Sequence, residues 1–368
     1  MKENTRRLID YSLPAVFENI LQTSVGFVDS VLIAKISLVA VSAVSLVNGV
    51  MAVYQAVFIA LAVAVATVVS NAAGARASKA VSENVRQSIA LSLMVGVILS
   101  ILSLVLAHPI LRAMGASGDI LQQGIIFFRV IAGTSVLIVL MTVLGQLIRT
   151  AGQTRTPLTI NLIVNILNFC LDFILIFGLF GFPRLGILGA GIGTALSRLI
   201  GVGLLFHKLQ QTSHRLQGPI FSRDQHIFKT EIVKRALPIM GERLMMRLGD
   251  IVIFVIIIAY GSKVFAGNAI GETITAYNYL PAFGFATGAS ILIARAYGAK
   301  DHLEIRKLTK TSFVMTAIIS TLVGGIIFAF STFILNFFTF DAVAVSAAQV
   351  VILISFVSEP IVAGVIIY

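Results

Sequence analysis

Long apolar stretches recur along the whole chain, and they constrain its fold more than any other feature. The runs at 50–69, 89–107 and 313–335 are examples. Each is long enough, as a helix, to cross a hydrocarbon core about 30 Å thick. Of the 368 residues, 58% are hydrophobic and 12% are charged, whereas a soluble domain carries about 25% charged residues. We therefore predict an all-α polytopic membrane protein.

The distribution of charge predicts how the chain crosses the membrane. Ten candidate spans lie near 8–34, 39–71, 87–108, 122–148, 157–180, 186–207, 232–260, 264–294, 311–335 and 344–368. The N-terminus and the loops on its side of the membrane then hold 19 of the 27 Lys and Arg residues. The positive-inside rule places that side in the cytoplasm. We therefore expect a multi-pass protein of the cell (inner) membrane with a cytoplasmic N-terminus. Since topology accounts for the net charge of +11, no nucleic-acid partner is expected.

An internal repeat relates the two halves of the chain. When the sequence is aligned with itself so that Pro14 meets Pro238, Glu18 meets Glu242 and the segment 72–76 meets 296–300 without a gap. This alignment shifts the chain by six spans, which keeps both copies in the same membrane orientation, as in transporters built from parallel repeats. The expected domains are an N-terminal transmembrane lobe at 1–207, a cytoplasmic linker at 208–231 and a C-terminal transmembrane lobe at 232–368.

The same alignment predicts an incomplete second lobe. First-lobe residues 145–208 have no counterparts, because the chain ends at Tyr368 within an apolar run. We therefore expect two parallel-repeat six-helix lobes with about 10 of the 12 transmembrane helices present.

Polar residues inside the predicted spans form two stripes. Glu18, Gln22 and Asp29 share one face of the first span. A second stripe on the fifth span comprises Asn161, Asn165, Asn168 and Asp172, at the spacing of one helix face. Ionisable groups at membrane depth are costly and usually functional. Asp29 and Asp172 are predicted to converge and to hold Na⁺ or a shared proton. The alternative is that the amides only tie neighbouring helices together.

Further candidates lie in the second lobe. Glu242, Glu272, Tyr277 and Tyr279 join Glu18 and Gln22 of the first span as candidates for contact with substrate or protons. The tyrosines are included because aromatic faces attract organic cations. Among the acidic residues, Glu272 and Glu359 are the weaker candidates. An ion pair between Asp250 and Arg243 or Arg247 is the simplest explanation of those three residues, which share one helix face. Pro14 and Pro238 lie inside the first and seventh spans and are predicted hinges, since proline removes an amide donor and kinks a helix.

Cysteine and histidine usage limits the possible chemistry. Cys170 is the only cysteine, so a disulfide within the chain is excluded. The five histidines show no metal-ligand spacing. The glycine-rich segment 186–193 opens a span and is typical of close helix packing rather than of a phosphate loop, which would follow a strand.

Several segments together resemble the MATE family, the multidrug and toxic compound extrusion transporters. They are LPAVFENI and VGFVDSVLIA within 13–34, IRTAGQTRTP at 148–157, the segment 165–198, ALPIMGERL at 236–244 and ARAYGAKD at 294–301. The resemblance implies two six-helix lobes around a central cavity and export of organic cations or amphipathic drugs in exchange for H⁺ or Na⁺. It also implies that this chain is C-terminally truncated, is not an enzyme and needs no cofactor beyond the coupling ion. Its expected partners are small-molecule drugs and the lipid bilayer, and we expect a monomer.

The resemblance also implies roles for individual residues. Asp29 matches the family's aspartate on the first helix, and Asn168 and Asp172 match its Asn-x-x-x-Asp pair on the fifth. Thr194 matches a threonine of the same cation-coupling cluster. Pro14 matches a proline that bends when the first-helix acid is protonated, and Glu242 matches a coupling glutamate of some branches.

Three other functions compete with export. A lipid-linked oligosaccharide flippase of the same superfamily would need basic residues in its cavity, whereas the spans contain only Arg129, Arg198, Arg243 and Arg247. A membrane enzyme is disfavoured because the chain has no nucleophile–base set and no nucleotide loop. A non-functional truncated remnant is the third alternative.

Overall fold

The computed structural model describes residues 2–34, 36–221, 231–338 and 341–367. Within these ranges the regular structure is helical, in agreement with the predicted fold class. The helices are α1 (Lys2–Ala34), α2 (Leu38–Gly74), α3 (Ser78–Ala113), α4 (Gly118–Ile131), α5 (Ser135–Thr150), α6 (Arg155–Phe177), α7 (Ile187–Gln210), α8 (Glu231–Ile258), α9 (Ser262–Gly298), α10 (His302–Ala329), α11 (Ser331–Leu335) and α12 (Ala342–Ile367).

Each predicted span falls on a long helix or on a pair of helices. In the described residues, α2, α3, α6, α7, α10 and α12 are long and apolar enough to cross a membrane, and α4 with α5 forms a seventh such span. The other three predicted spans fall on α1, α8 and α9, whose described residues do not pass the same combined test of length, hydropathy and charge. In α9 the cause is visible in the sequence, because Asn268, Glu272 and Asn278 lie in its first half.

The fourth predicted span is broken rather than continuous. α4 and α5 are bent by 42° at residues 132–134. Gly133 lies so close to the carbonyl of Arg129 that a Cβ would collide with it. Thr134 Oγ1 donates to the carbonyl oxygen of Val130 at 2.8 Å, which satisfies an acceptor at the end of α4. Hydropathy gives no clear sign of this break, because residues 130–132 before it and 136–140 after it are apolar.

The structure confirms the internal repeat. α2 and α9 are both 37 residues long. They begin at the equivalent positions Leu38 and Ser262, and α3 and α10 likewise begin at the equivalent positions Ser78 and His302. The turn after each of α2 and α9 places a non-glycine residue in the left-handed region, Arg76 at φ 56° and Lys300 at φ 59°. This conformation is uncommon outside glycine. Its occurrence at equivalent positions indicates that both repeats contain the same turn.

The chain packs as two compact units. The first unit contains residues 21–243, and the second contains 1–20 together with 244–368. These boundaries divide α1 and α8 internally, whereas the predicted lobes 1–207 and 232–368 follow the sequence repeat.

Each unit has its own core. In the second unit, α1 packs closely on α9, because a Cβ at Gly288 would lie 3.0 Å from the backbone nitrogen of Ser12. An ion pair of 2.7 Å between Arg7 and Glu304 joins α1 to α10. In the first unit, Ile232 at the start of α8 is fully buried in the cluster that contains Val65, Val85 and Leu147.

Candidate cation-coupling site

Close packing of α6 on α7 builds the candidate site in the first unit. A Cβ at Gly189 would lie 2.7 Å from the carbonyl carbon and oxygen of Leu175, and a Cβ at Gly193 would collide with Oδ1 of Asp172. Neither position has room for a side chain. The glycine-rich segment 186–193 therefore serves helix packing, as the sequence predicts, and it brings the Asp172 carboxylate against the backbone of α7.

Asn168 links the two helices through its amide. Its Nδ2 donates to Thr194 Oγ1 at 3.2 Å, and its side chain is also hydrogen-bonded to Asp172. Thr194 Oγ1 in turn donates to the carbonyl of Ala190 at 2.8 Å. Because Nδ2 carries two hydrogens, one amide can orient both the hydroxyl and the carboxylate. Asn168 is 5% exposed and Asp172 is 2% exposed, so these bonds lie away from the surface of the chain.

Asp29 lies on a third helix, α1, near the residues of α6 and α7 described above. Its carboxylate lies close enough to that of Asp172 for electrostatic interaction. Oδ1 of Asp29 and Oδ1 of Asp172 are both buried, and neither has a hydrogen-bond partner. A buried carboxylate oxygen without a partner is costly unless a proton or cation satisfies it. The structure thus brings together Asp29, Asn168, Asp172 and Thr194, the four predicted cation-coupling residues.

Arg198 is a member of the cluster that the sequence did not predict as a site residue. It lies four residues after Thr194 on α7 and interacts electrostatically with both Asp29 and Asp172. Its Nη1 is buried and has no hydrogen-bond partner. The sequence feature that could have indicated Arg198 is its i, i+4 spacing from Thr194, because this spacing places both residues on one helix face.

The charge of the cluster determines what it can bind. Two carboxylates and one guanidinium leave a net charge of −1 when all three are ionised. An arginine side chain stays charged in proteins, so the group lacks one positive charge. Carboxylate, amide and hydroxyl oxygens are ligands that Na⁺ accepts as a hard cation, and a carboxylate also accepts a proton. Within the described residues, no three His, Cys, Asp or Glu side chains form a metal-binding group.

The remaining predicted substrate and proton residues are divided between the units. Gln22 and Glu242 lie in the first unit, and both are exposed. Glu18, Glu272, Tyr277 and Tyr279 lie in the second unit. Glu272 Oε1 accepts a hydrogen bond of 2.9 Å from Asn268 Nδ2. Tyr277 is 40% exposed, and Tyr279 is partly buried.

The second unit contains a buried polar group of its own. Glu359 on α12 is 0% exposed, and its Oε1 accepts a hydrogen bond of 3.3 Å from Ser355 Oγ. Asn278 Nδ2 on α9 donates to the same hydroxyl at 3.0 Å. Gly324 on α10 provides the space, since a Cβ there would lie 3.4 Å from Cγ of Glu359. Among the predicted candidates Glu359 ranked low, because a single glutamate in an apolar span has no periodic pattern.

Two smaller predictions also have structural outcomes. Arg247 Nη1 lies 3.3 Å from Asp250 Oδ2, which confirms the predicted ion pair. Pro14 and Pro238 lie inside α1 and α8, but their role as hinges stays a prediction.

Comparison with known proteins identifies the family. The MatE family model matches residues 14–174 and 238–368, which is most of the chain in two copies. The chain belongs to the MatE family. MatE proteins are transporters, so this chain is a membrane transporter and not an enzyme. The two matched segments begin at Pro14 and Pro238, the prolines that the internal repeat aligns.

The curated relatives are bacterial transporters. A probable multidrug resistance protein NorM of Thermotoga maritima is 30% identical over 344 residues, which cover 92% of this chain and 73% of that protein. The uncharacterized transporter YisQ of Bacillus subtilis is 26% identical, over 69% of this chain and 56% of its own length. The chain thus spans little more than half of several curated relatives that it matches.

Solved MATE transporters share the fold. An outward-facing MATE transporter of the MOP superfamily superposes with a TM-score of 0.87 at 23% identity, over 97% of this chain and 80% of that one. A MATE transporter of Vibrio cholerae gives a TM-score of 0.87 at 18% identity, over 100% of this chain and 82% of that one.

Proposed function

We propose that this transporter exports organic cations or amphipathic drugs in exchange for H⁺ or Na⁺, by alternating access. The observation that carries the proposal is the single missing positive charge in the cluster of Asp29, Asn168, Asp172, Thr194 and Arg198. A buried site with a net charge of −1 is well suited to bind one monovalent cation and release it when its surroundings change. Several relatives are named multidrug resistance proteins, which supports drugs as the exported substrates.

In this proposal each residue has a defined task. Asp29 and Asp172 bind the coupling cation through their unpartnered oxygens. Asn168 and Thr194 fix the orientation of the Asp172 carboxylate. Arg198 stays charged and neutralises one of the two carboxylates, so that one cation and not two is needed. The coupling ion is transported cargo, and no resident cofactor is invoked.

The flippase alternative fits the arginines less well. A pyrophosphate-bearing substrate would need cationic side chains in the cavity. Of the four arginines in the spans, Arg198 interacts with two carboxylates and Arg247 pairs with Asp250. Both arginines therefore already interact with carboxylates and are less able to bind a pyrophosphate, which favours a cationic or neutral substrate.

Transport in reconstituted vesicles tests the proposal. The purified chain is placed in liposomes, and uptake of the organic cation tetraphenylphosphonium is measured under an imposed pH or Na⁺ gradient. Gradient-dependent accumulation above protein-free liposomes supports export. Absence of transport under both gradients, with the protein shown to be folded, contradicts it and favours the non-functional remnant. Uptake of a lipid-linked oligosaccharide instead would support the flippase.

Topology and assembly are part of the same proposal. We infer residence in the cell (inner) membrane with a cytoplasmic N-terminus, because most Lys and Arg residues lie on that side, and we expect a monomer. Cys170 is the only cysteine and is exposed, so a Cys170→Ser background allows a new cysteine in the turn at 75–77 to be labelled from either side. Protection from an impermeant reagent in intact cells supports this orientation, and rapid labelling contradicts it.

A further inference from the structure

A basic cavity lies in the first unit, between the start of α3 and the segment that follows α7. Its volume is about 530 Å³, and its lining includes Arg76, Lys79, Arg86 and Arg215. Glu83 is the one acidic side chain in the lining. Four cations against one carboxylate give a net charge of +3 before any contribution from histidine.

The wall formed by the segment after α7 is fixed by a buried histidine. His214 lines the cavity and is 5% exposed. Its Nδ1 lies 3.2 Å from Thr150 Oγ1 at the end of α5, and its backbone N–H donates to Thr212 Oγ1 at 3.1 Å. These bonds hold the chain beside the start of α3, so Arg215 stays near Arg76 in the turn after α2 and near Lys79 and Arg86 on α3.

The opposite wall is the turn between α2 and α3. Arg76 adopts φ 56°, and its backbone N–H donates to the carbonyl of Ala73 at 3.1 Å. α3 then begins at Ser78 with no side-chain cap and no acidic residue in its first turn. The positive end of the helix dipole adds to the field of the side chains, although the four cations supply most of it.

The position of the cavity indicates the class of ligand. It lies at the ends of membrane-spanning helices, on the face predicted to be cytoplasmic, where anionic headgroups concentrate. Basic pockets between such helix ends suit phosphate-bearing headgroups, and arginine forms bidentate hydrogen bonds to phosphate oxygens.

We propose that this cavity binds the phosphate group of an anionic ligand, supplied by a phospholipid headgroup or by soluble phosphate. This site is independent of the proposed export mechanism, because none of its residues belongs to the cation-coupling cluster. A phospholipid probe and inorganic phosphate distinguish the two sources in one experiment.

The internal repeat supplies a matched control. Lys300 and Lys310 are the repeat equivalents of Arg76 and Arg86, and Lys300 has the same left-handed backbone. Neither lysine lines the cavity. The test variant is Arg76→Gln/Arg86→Gln, and the control is Lys300→Gln/Lys310→Gln. Both remove two positive charges from the same predicted side of the membrane. A second test variant, Lys79→Gln/Arg215→Gln, covers the case in which loss of Arg86 disturbs the fold.

Binding is measured on the full chain in neutral detergent, by the rise in melting temperature. The probes are dihexanoyl phosphatidylglycerol, dihexanoyl phosphatidylcholine and inorganic phosphate, at constant ionic strength. We expect saturable stabilisation by phosphatidylglycerol but not by phosphatidylcholine. In the test variants the apparent Kd should rise about thirtyfold, at about 1 kcal/mol for each cation removed. The control should keep the Kd of the unaltered chain.

Saturation by phosphatidylglycerol alone supports the site with a lipid source, and saturation by inorganic phosphate supports it with a soluble source. The proposal is overturned if neither probe saturates. It is also overturned if the control loses binding as much as the test variants do, because the effect would then be general surface charge.

Discussion

Asn168 Nδ2 on α6 donates to Thr194 Oγ1 on α7 at 3.2 Å. This bond joins two helices that are packed so closely that Gly193 lies against Asp172. One amide thereby connects the glycine packing of the helices with the orientation of a buried carboxylate.

Gly193→Ala should impair transport, because the new methyl group would occupy the position of Asp172 Oδ1. Overpacking of this kind costs about 1–3 kcal/mol, so a lowered melting temperature is also expected. Gly203→Ala on the same helix is the control, since its Cβ would have no heavy atom within 4 Å. Unchanged transport in the Gly193 variant would show that the Asp172 carboxylate does not need its observed position.

Asp29→Asn should abolish coupled export while the protein still inserts and folds. The amide keeps the shape of the side chain but removes the charge that holds the cation. Its repeat counterpart Ile253 is apolar, so we expect only one lobe to contain this ion site. The control is Asp119→Asn at the exposed start of α4, which should transport normally. Drug efflux at the unaltered rate in the Asp29 variant would remove this residue from the mechanism.

Asn168→Leu should weaken cation binding more than Asn168→Ser does. Leucine removes every donor to Thr194 and Asp172, whereas serine retains one hydroxyl donor. Hydrogen bonds to charged groups contribute about 1.5–3 kcal/mol, so we expect the apparent KM for the coupling cation to rise at least tenfold with leucine. Equal KM values for the two variants, measured by titrating the ion at fixed drug, would argue that the amide only ties the helices together.

Glu359→Ala should destabilise the second unit. The change leaves a cavity beside Gly324 and removes the acceptor of Ser355 Oγ, which together cost about 2–4 kcal/mol. Glu359→Gln keeps the volume and an oxygen acceptor, so its melting temperature should stay near that of the unaltered chain. Equal loss of stability in both variants would indicate that the charge itself is required.

The sequence predicted the spans and the repeat well because both depend on local pattern. Helix length follows from apolar runs, and the repeat alignment reappears in the helix starts, as Leu38 and Ser262 show. The polar stripe on α6 was also visible, since residues such as Asn168 and Asp172 recur at helical spacing. The break at Gly133 was missed because tight local turns in apolar surroundings leave hydropathy unchanged.

Arg198 was missed for a different reason. Its proximity to Asp29 and Asp172 depends on how α1, α6 and α7 pack together. The sequence alone predicts only which face of α7 Arg198 lies on. Glu359 ranked low because it has no periodic pattern, and because Asn278, which bonds to the same Ser355 hydroxyl, lies on another helix far earlier in the chain. Interhelical contacts of this kind become visible only in three dimensions.

Arg198→Gln should change the number of cations that the site binds. Removing the guanidinium leaves two carboxylates with a net charge of −2, so two cations are needed for neutrality. We expect a Hill coefficient near 1 for the coupling ion in the unaltered chain and above 1 in the variant, measured from ion-dependent drug transport. Arg129→Gln, which lies at the end of α4, is the control. A Hill coefficient of 1 in both would contradict the charge-balance argument.

The voltage dependence of drug accumulation tests the single-cation site most directly. A tenfold ion gradient supplies about 1.4 kcal/mol, and 100 mV adds about 2.3 kcal/mol per charge moved. If one cation exchanges for one monocationic drug, the voltage contributions cancel and accumulation stops at about tenfold. Proteoliposomes with a clamped ion gradient and a potassium–valinomycin potential give the measurement. We predict that steady-state accumulation of the drug does not change with voltage, whereas a clear rise with imposed potential would show that two charges move and contradict the site described here.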